Sequence, residues 1–167
     1  MKGIRTWMAA APTRPLAWLA LLALSLAGCA PSPQEERFTV LPDVMIRLVA
    51  EDACRYCKAV EYSPDGKYVG QIRISTTVLA RAGDIDYVSR SRGGDGELRF
   101  VYKTTAQARI HDITSRSFGR KIALMAGGRA VNVATISGPF SAGSQVSGLD
   151  EASTDFIIGQ IAGGRGR

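Results

Sequence analysis

The first 28 residues stand apart from whatever this chain folds into. Lys2, Arg5 and Arg14 give the segment a positive start, and residues 16–26 (LAWLALLALSL) follow as an uncharged apolar run. As a helix that run is about 16 Å long, too short for a ~30 Å hydrocarbon core. A basic start, a short apolar stretch and small residues after it have the layout of a secretory targeting segment, which is removed from the mature protein. The folded part is then residues 29–167, the size of one ordinary domain with its own core. Half of the formal charge of +6 belongs to the discarded part, because three basic residues and no acidic one lie there. Arg165 and Arg167 fall in a Gly-rich end, read as a solvated tail over 163–167. What remains carries no basic run of the kind that marks a nucleic-acid binder.

The tetrapeptide Leu26-Ala27-Gly28-Cys29 resembles a bacterial lipobox. The resemblance implies that Cys29 is diacylated on its thiol and becomes the mature N-terminus. Two acyl chains hold a protein stably where one does not. Ala30 follows the cysteine in place of the Asp that marks inner-membrane retention, which favours the periplasmic face of the outer membrane in a Gram-negative cell. Residues 29–37 read as the lipid-anchored linker, and the eight residues after Cys29 reach ~28 Å when fully extended. The partner implied at this end is the membrane, through lipid alone.

The domain, read as 38–162, shows mostly strand periodicity. Residues 44–51 form a strand that is apolar on both faces, and 52–70 are polar and turn-rich. Ser63-Pro64-Asp65-Gly66 is a turn signal, with Pro setting one φ and Gly accepting a positive one. Residues 68–77 alternate as a half-buried strand does, and 85–89 form a short one. Leu98, Phe100 and Tyr102 alternate with Arg99, Val101 and Lys103 as another strand. A helix follows, capped by Thr104 or Thr105, with Ala106, Ile110, Ile113 and Ser117 on one stripe. Gly119 suits its left-handed end. Residues 121–126 and 129–136 are two strands joined at Gly127-Gly128, and 145–147 form a short one. A last helix opens at Asp150-Glu151, buries Ala152, Phe156, Ile157 and Ile161, and stops at Gly163-Gly164. The order predicts an α+β fold, two helices layered on one face of a mainly antiparallel sheet.

Residues 118–164 also carry an ordered set of motifs. These are Gly119-Arg120-Lys121-Ile122-Ala123-Leu124, Gly128-Arg129-Ala130-Val131, Gly138-Pro139-Phe140, Ala142-Gly143, Gln145-Val146-Ser147-Gly148, and the helix from Asp150. Together they resemble the head subdomain of the first periplasmic domain of SecD, with the best match over 97–164. Thr135 stands where that family usually has a Pro, and the region before Asp150 is shorter. The resemblance implies a head-like, ferredoxin-like variant of the α+β fold and engagement of an emerging protein chain. It does not imply translocation, for which SecD uses a polytopic membrane part.

Residues that carry chemistry are few. His111 is the single histidine and lies off the apolar stripe of its helix, where a solvated role is the simplest. With Cys29 taken by lipid, Cys54 and Cys57 form the remaining pair, in a compartment that permits disulfides. A structural disulfide, a redox-active dithiol and a metal site are three readings of that pair. The dithiol needs a helix N-terminus to lower one thiol pKa, and the metal site needs more ligands than His111 supplies. No catalytic constellation, metal, cofactor or small-molecule substrate is expected. Tyr56, Tyr62 and Tyr68 are candidate partner anchors. So are Gly143 and Gln145, at a sheet edge that can take an extended peptide. The reading is a non-enzymatic, lipid-anchored envelope protein that binds a protein or peptide. Secretion, envelope assembly, and an immunity or inhibitor role are the contexts it fits. A thiol–disulfide oxidoreductase and a structural subunit of an envelope complex are the alternatives.

Overall fold

The computed structural model describes residues 35–51, 54–91 and 96–165. Along them lie β1 (Glu35–Val40), β2 (Met45–Val49), β3 (Lys58–Tyr62), β4 (Gly70–Arg81), β5 (Ile85–Ser91) and β6 (Leu98–Tyr102). Then come α1 (Thr104–Ser115), β7 (Lys121–Ala126), β8 (Arg129–Thr135), β9 (Gly143–Val146), α2 (Glu151–Ile161) and β10 (Ala162–Arg165). The fold is α+β with mostly antiparallel pairing. Its strands divide between two sheets rather than forming one: an open sheet in the order β10-β1-β5-β6-β9, and a closed barrel in the order β2-β4-β3-β8-β7. The one parallel contact in the barrel is β3 with β8, at Tyr62 and Ala130.

Burial explains why two sheets form. β7 is buried on both sides: Ile122, Leu124 and Ala126 enter the larger core, while Ala123 and Met125 enter a second cluster with Val60, Ile74 and Ala130. A strand buried on both faces reads as a continuous apolar run, and KIALMA is one. Gly127 and Gly128 join β7 to β8 in a two-residue loop with both φ values positive, 57° and 77°, which only glycine takes without strain. The Asp43 carboxylate accepts from the Gly127 N–H at 2.7 Å and fixes this loop. The open sheet is buried on one face only. Phe38, Val88, Leu98, Phe100 and Tyr102 turn into the larger core, which Ala106 and Ile110 of α1 and Ile157, Ile158 and Ile161 of α2 complete.

Several expectations are corrected here. The linker does not extend to 37, because β1 already begins at Glu35 and pairs with β5. The tail does not begin at 163 either. Ala162–Arg165 is a strand on the outer side of β1, with Phe38 opposite Arg165 and Thr39 opposite Gly164. Backbone pairing orders a Gly-Gly stretch that side-chain pattern cannot reveal. β3 lies inside the segment read as turn-rich, since Val60 alone of its residues is buried and no alternation shows. α1 carries no side-chain cap: Lys103 holds the cap position, and Thr104 is already inside the helix. Asp150 does cap α2, its carboxylate accepting from Ser153 N–H at 2.7 Å. The buried face of α2 is Thr154, Ile157, Ile158 and Ile161, while Ala152 is exposed and Phe156 half-buried. Cys29, with the lipobox and the targeting segment, lies outside the described residues.

Candidate functional site

β9 forms one edge of the open sheet, bonded to β6 on one side. Which of its backbone groups point outward follows from the ladder. Tyr102 N–H donates to Ala142 O at 2.9 Å. By the two-residue repeat of an antiparallel pair, Phe100–Ser144 and Leu98–Val146 are then the hydrogen-bonded partners. Gly143 and Gln145, between them, aim their N–H and C=O groups away from β6. These are the two edge residues that the sequence offers as peptide contacts. Gly143 also has to be glycine, since a Cβ there would lie 2.6 Å from the Phe100 carbonyl oxygen.

Three contacts position this edge. The Tyr102 hydroxyl shares a 2.7 Å hydrogen bond with the Ser144 hydroxyl. The Tyr102 ring stacks on Phe140, with centroids 6.5 Å apart. Phe140 N–H in turn donates to the Thr114 hydroxyl of α1 at 2.9 Å. Burial pushes the Tyr102 phenol up to about 12, against the opposing effect of the Ser144 bond. Neither Tyr102 nor Ser144 is singled out by the sequence, although the alternation in β6 does place Tyr102 on the buried face.

A polar row crosses the solvent-facing side of the sheet. Arg37, Ser89, Arg99 and Gln145 are opposite one another through successive strand pairs. Beside Gln145 lies an open cleft of about 260 Å³, lined by Glu35, Ser89, Glu97, Arg99 and Gln145. The Glu35 carboxylate accepts from the Ser89 hydroxyl at 2.6 Å and from Arg37 at 3.1 Å, and both hold its pKa below the ordinary carboxylate value. Arg37 also lies over the Tyr87 ring, 4.4 Å from its centroid. Arg99 and Gln145 remain exposed at the β9 end of the row. The arrangement offers an unfilled strand position with a polar row leading to it.

The tyrosines do not gather. Tyr56, 73% exposed, sits in the Cys54–Cys57 turn before β3, whereas Tyr68, 65% exposed, follows β3. β3 from Lys58 to Tyr62 separates them by about 13 Å of extended chain. Tyr62 is half-buried against the second core cluster. Cys54 and Cys57 are at disulfide distance, with Cα atoms 5.2 Å apart. Their turn is closed by Cys57 N–H donating to Cys54 O at 3.3 Å, and Arg73 donates to the same oxygen at 3.1 Å. A strand, β3, follows that turn where a thioredoxin-like dithiol has a helix. His111 is exposed on α1, and among the described residues no three His, Cys, Asp or Glu side chains come together as metal ligands. No described helix is long and apolar enough to cross a membrane.

No family model and no curated protein matches the chain. Among solved structures it is similar to one described as the structure and function of a membrane component, SecDF, that enhances protein export. The likeness has a TM-score of 0.46 and 11% sequence identity over 75% of this chain. This chain spans 64% of the length of that one.

Proposed function

We propose that this chain is a lipid-anchored, non-enzymatic envelope protein that binds an extended segment of a partner protein as an added strand beside β9. The observation that carries this reading is the outward-facing backbone of Gly143 and Gln145 on a sheet edge. Main-chain hydrogen bonds supply affinity in strand addition, and side-chain neighbours supply selectivity. Here the neighbours are Gln145, Arg99 and the adjoining cleft. The resemblance of residues 118–164 to the SecD head supports a place in secretion or envelope assembly. Inhibition of a partner through the same edge is the variant of this reading. The oxidoreductase alternative has less support, because the Cys54–Cys57 turn is followed by the strand β3 and not by a helix that would lower a thiol pKa.

Gln145→Pro tests the edge directly. Proline removes an N–H that points away from β6, and the ladder bonds of Ser144 and Val146 are retained. Binding of fluorescent extended peptides, measured by anisotropy, is expected to weaken by about fivefold, the effect of losing one main-chain bond worth roughly 1 kcal/mol. Circular dichroism and thermal midpoint stay close to those of the parent. Unchanged binding by a folded Gln145→Pro protein would overturn the edge as the site. The anchor has its own test. Cys29→Ser is expected to move the protein from the membrane fraction to the soluble one, with loss of the diacylglyceryl mass from the N-terminal peptide. A mature peptide without that mass in the parent protein would sink the lipid reading.

A further inference from the structure

Beside the start of α1 the structure holds a second cleft, of about 360 Å³, lined by Val78, Arg81, Asp84 and Arg109. Two guanidinium groups and one carboxylate line it. The Asp84 carboxylate is already committed: it accepts from the Arg81 backbone N–H and from Arg109, each at 2.8 Å. Arg109 is held from two sides, since its other terminal nitrogen donates to the Leu79 carbonyl at 2.9 Å. A guanidinium held this way is pre-oriented and loses little freedom on binding a ligand. Arg81 is exposed and has no ion pair among the described residues.

Two further features raise the positive potential around this stretch of β4. Arg47 is opposite Val78 in the β2–β4 pairing, and its Nε is buried with no hydrogen-bond partner. α1 starts at the Asp84 wall, where Lys103 N–H donates to the Asp84 carbonyl at 2.9 Å. No side chain caps that helix, so the positive end of its dipole is not offset by a capping side-chain oxygen. The charges come from β2, β4 and α1, far apart in sequence, so no basic run announces them.

We infer that the Arg81–Arg109 cleft binds an oxyanion of the phosphate type. Arg109 supplies the fixed positive charge, and Arg81 closes on the anion from the opposite wall. A planar guanidinium matches phosphate oxygens in pairs, which a lysine does not reproduce. Free phosphate and the phosphodiester of an anionic lipid headgroup share this chemistry. The inference stands apart from the β9 edge: it involves neither Gly143 nor Gln145.

The experiment uses the full chain and two probes. The first is inorganic phosphate, titrated at low ionic strength and followed by amide resonances, with chloride at matched ionic strength as control. The second is sedimentation with phosphatidylglycerol vesicles against phosphatidylcholine vesicles. Saturable shifts at Arg81, Asp84 and Lys103 with phosphate and not with chloride support the site and assign it to the free anion. Preference for phosphatidylglycerol without phosphate saturation supports it and assigns it to the headgroup. In either arm Arg81→Gln is expected to weaken binding by about tenfold or more, with Arg81→Lys in between, the scale of one lost charge-assisted bond. Arg81 is exposed, so both variants fold, and circular dichroism checks this. Equal response to chloride, no response to either probe, or an Arg81→Gln protein that binds like the parent overturns the inference.

Discussion

Phe100→Ala is expected to destabilise the domain by about 3–5 kcal/mol, the range for deleting a large buried aromatic side chain. Phe100 is 1% exposed at the middle of β6. It lines the seam where the open sheet meets the barrel, with Ile46, Ile122 and Leu124 on the barrel side and Val146 of β9 on its own. A pocket of about 20 Å³ already opens beside the ring, and deleting the ring would enlarge it. The barrel wall facing it is closed by strand pairing, which limits how far it can shift to refill the space. The cost therefore includes the cavity as well as the lost transfer energy. Against a total of about 5–15 kcal/mol for a domain, this approaches the limit of foldedness. Urea unfolding read by fluorescence measures it. Phe118→Ala is the control, because Phe118 is 69% exposed and a change there stays within about 0.5 kcal/mol. A loss under 1 kcal/mol for Phe100→Ala would mean that the two sheets do not share this core.

How far the sequence discloses this architecture depends on what holds each element in place. β6, β7, β8 and both helices are legible because side-chain burial forms them, and burial leaves a period of two or of three to four. Gly127-Gly128 is legible because both positions need positive φ. β1, β3 and β10 are held by backbone pairing, and backbone groups are the same at every residue. Glu35, Lys58 and Gly164 accordingly look like linker, turn and tail until a neighbouring strand is placed beside them. The same limit hides the barrel. A both-face-buried run such as 121–126 tells that two cores meet at β7, but not that the second core is the inside of a closed sheet. Of the candidate contacts, Gly143 and Gln145 were reachable from a Gly-rich strand at a sheet edge. The tyrosines were grouped by sequence distance, which β3 converts into separation. Tyr102, Ser144 and the arginine cleft depend on pairings between residues 25 to 42 apart, which no local pattern records.

Tyr102 makes the stability of the domain sensitive to alkaline pH. In the unfolded chain its phenol ionises near the ordinary value of 10.0, and in the folded domain near 12, because burial disfavours the phenolate. A raised acid pKa means that the native state keeps its proton where the unfolded state has lost it. The contribution is fully present below pH 10 and is lost as pH rises from there through 12. At 1.36 kcal/mol per unit the loss amounts to roughly 3 kcal/mol, on the order of a quarter to a half of a domain's stability. The phenolate keeps its partner by accepting from the Ser144 hydroxyl, so the loss comes from holding the charge in a buried place. Urea midpoints at intervals from pH 9 to 12 are expected to fall more steeply for the parent than for Tyr102→Phe, the two curves converging or crossing at the alkaline end. At neutral pH the Phe variant starts about 1 kcal/mol lower, having lost one partly buried hydrogen bond. Parallel curves would show that the phenol titrates alike in both states. Burial of the Tyr102 hydroxyl would then not be what separates the folded from the unfolded pKa.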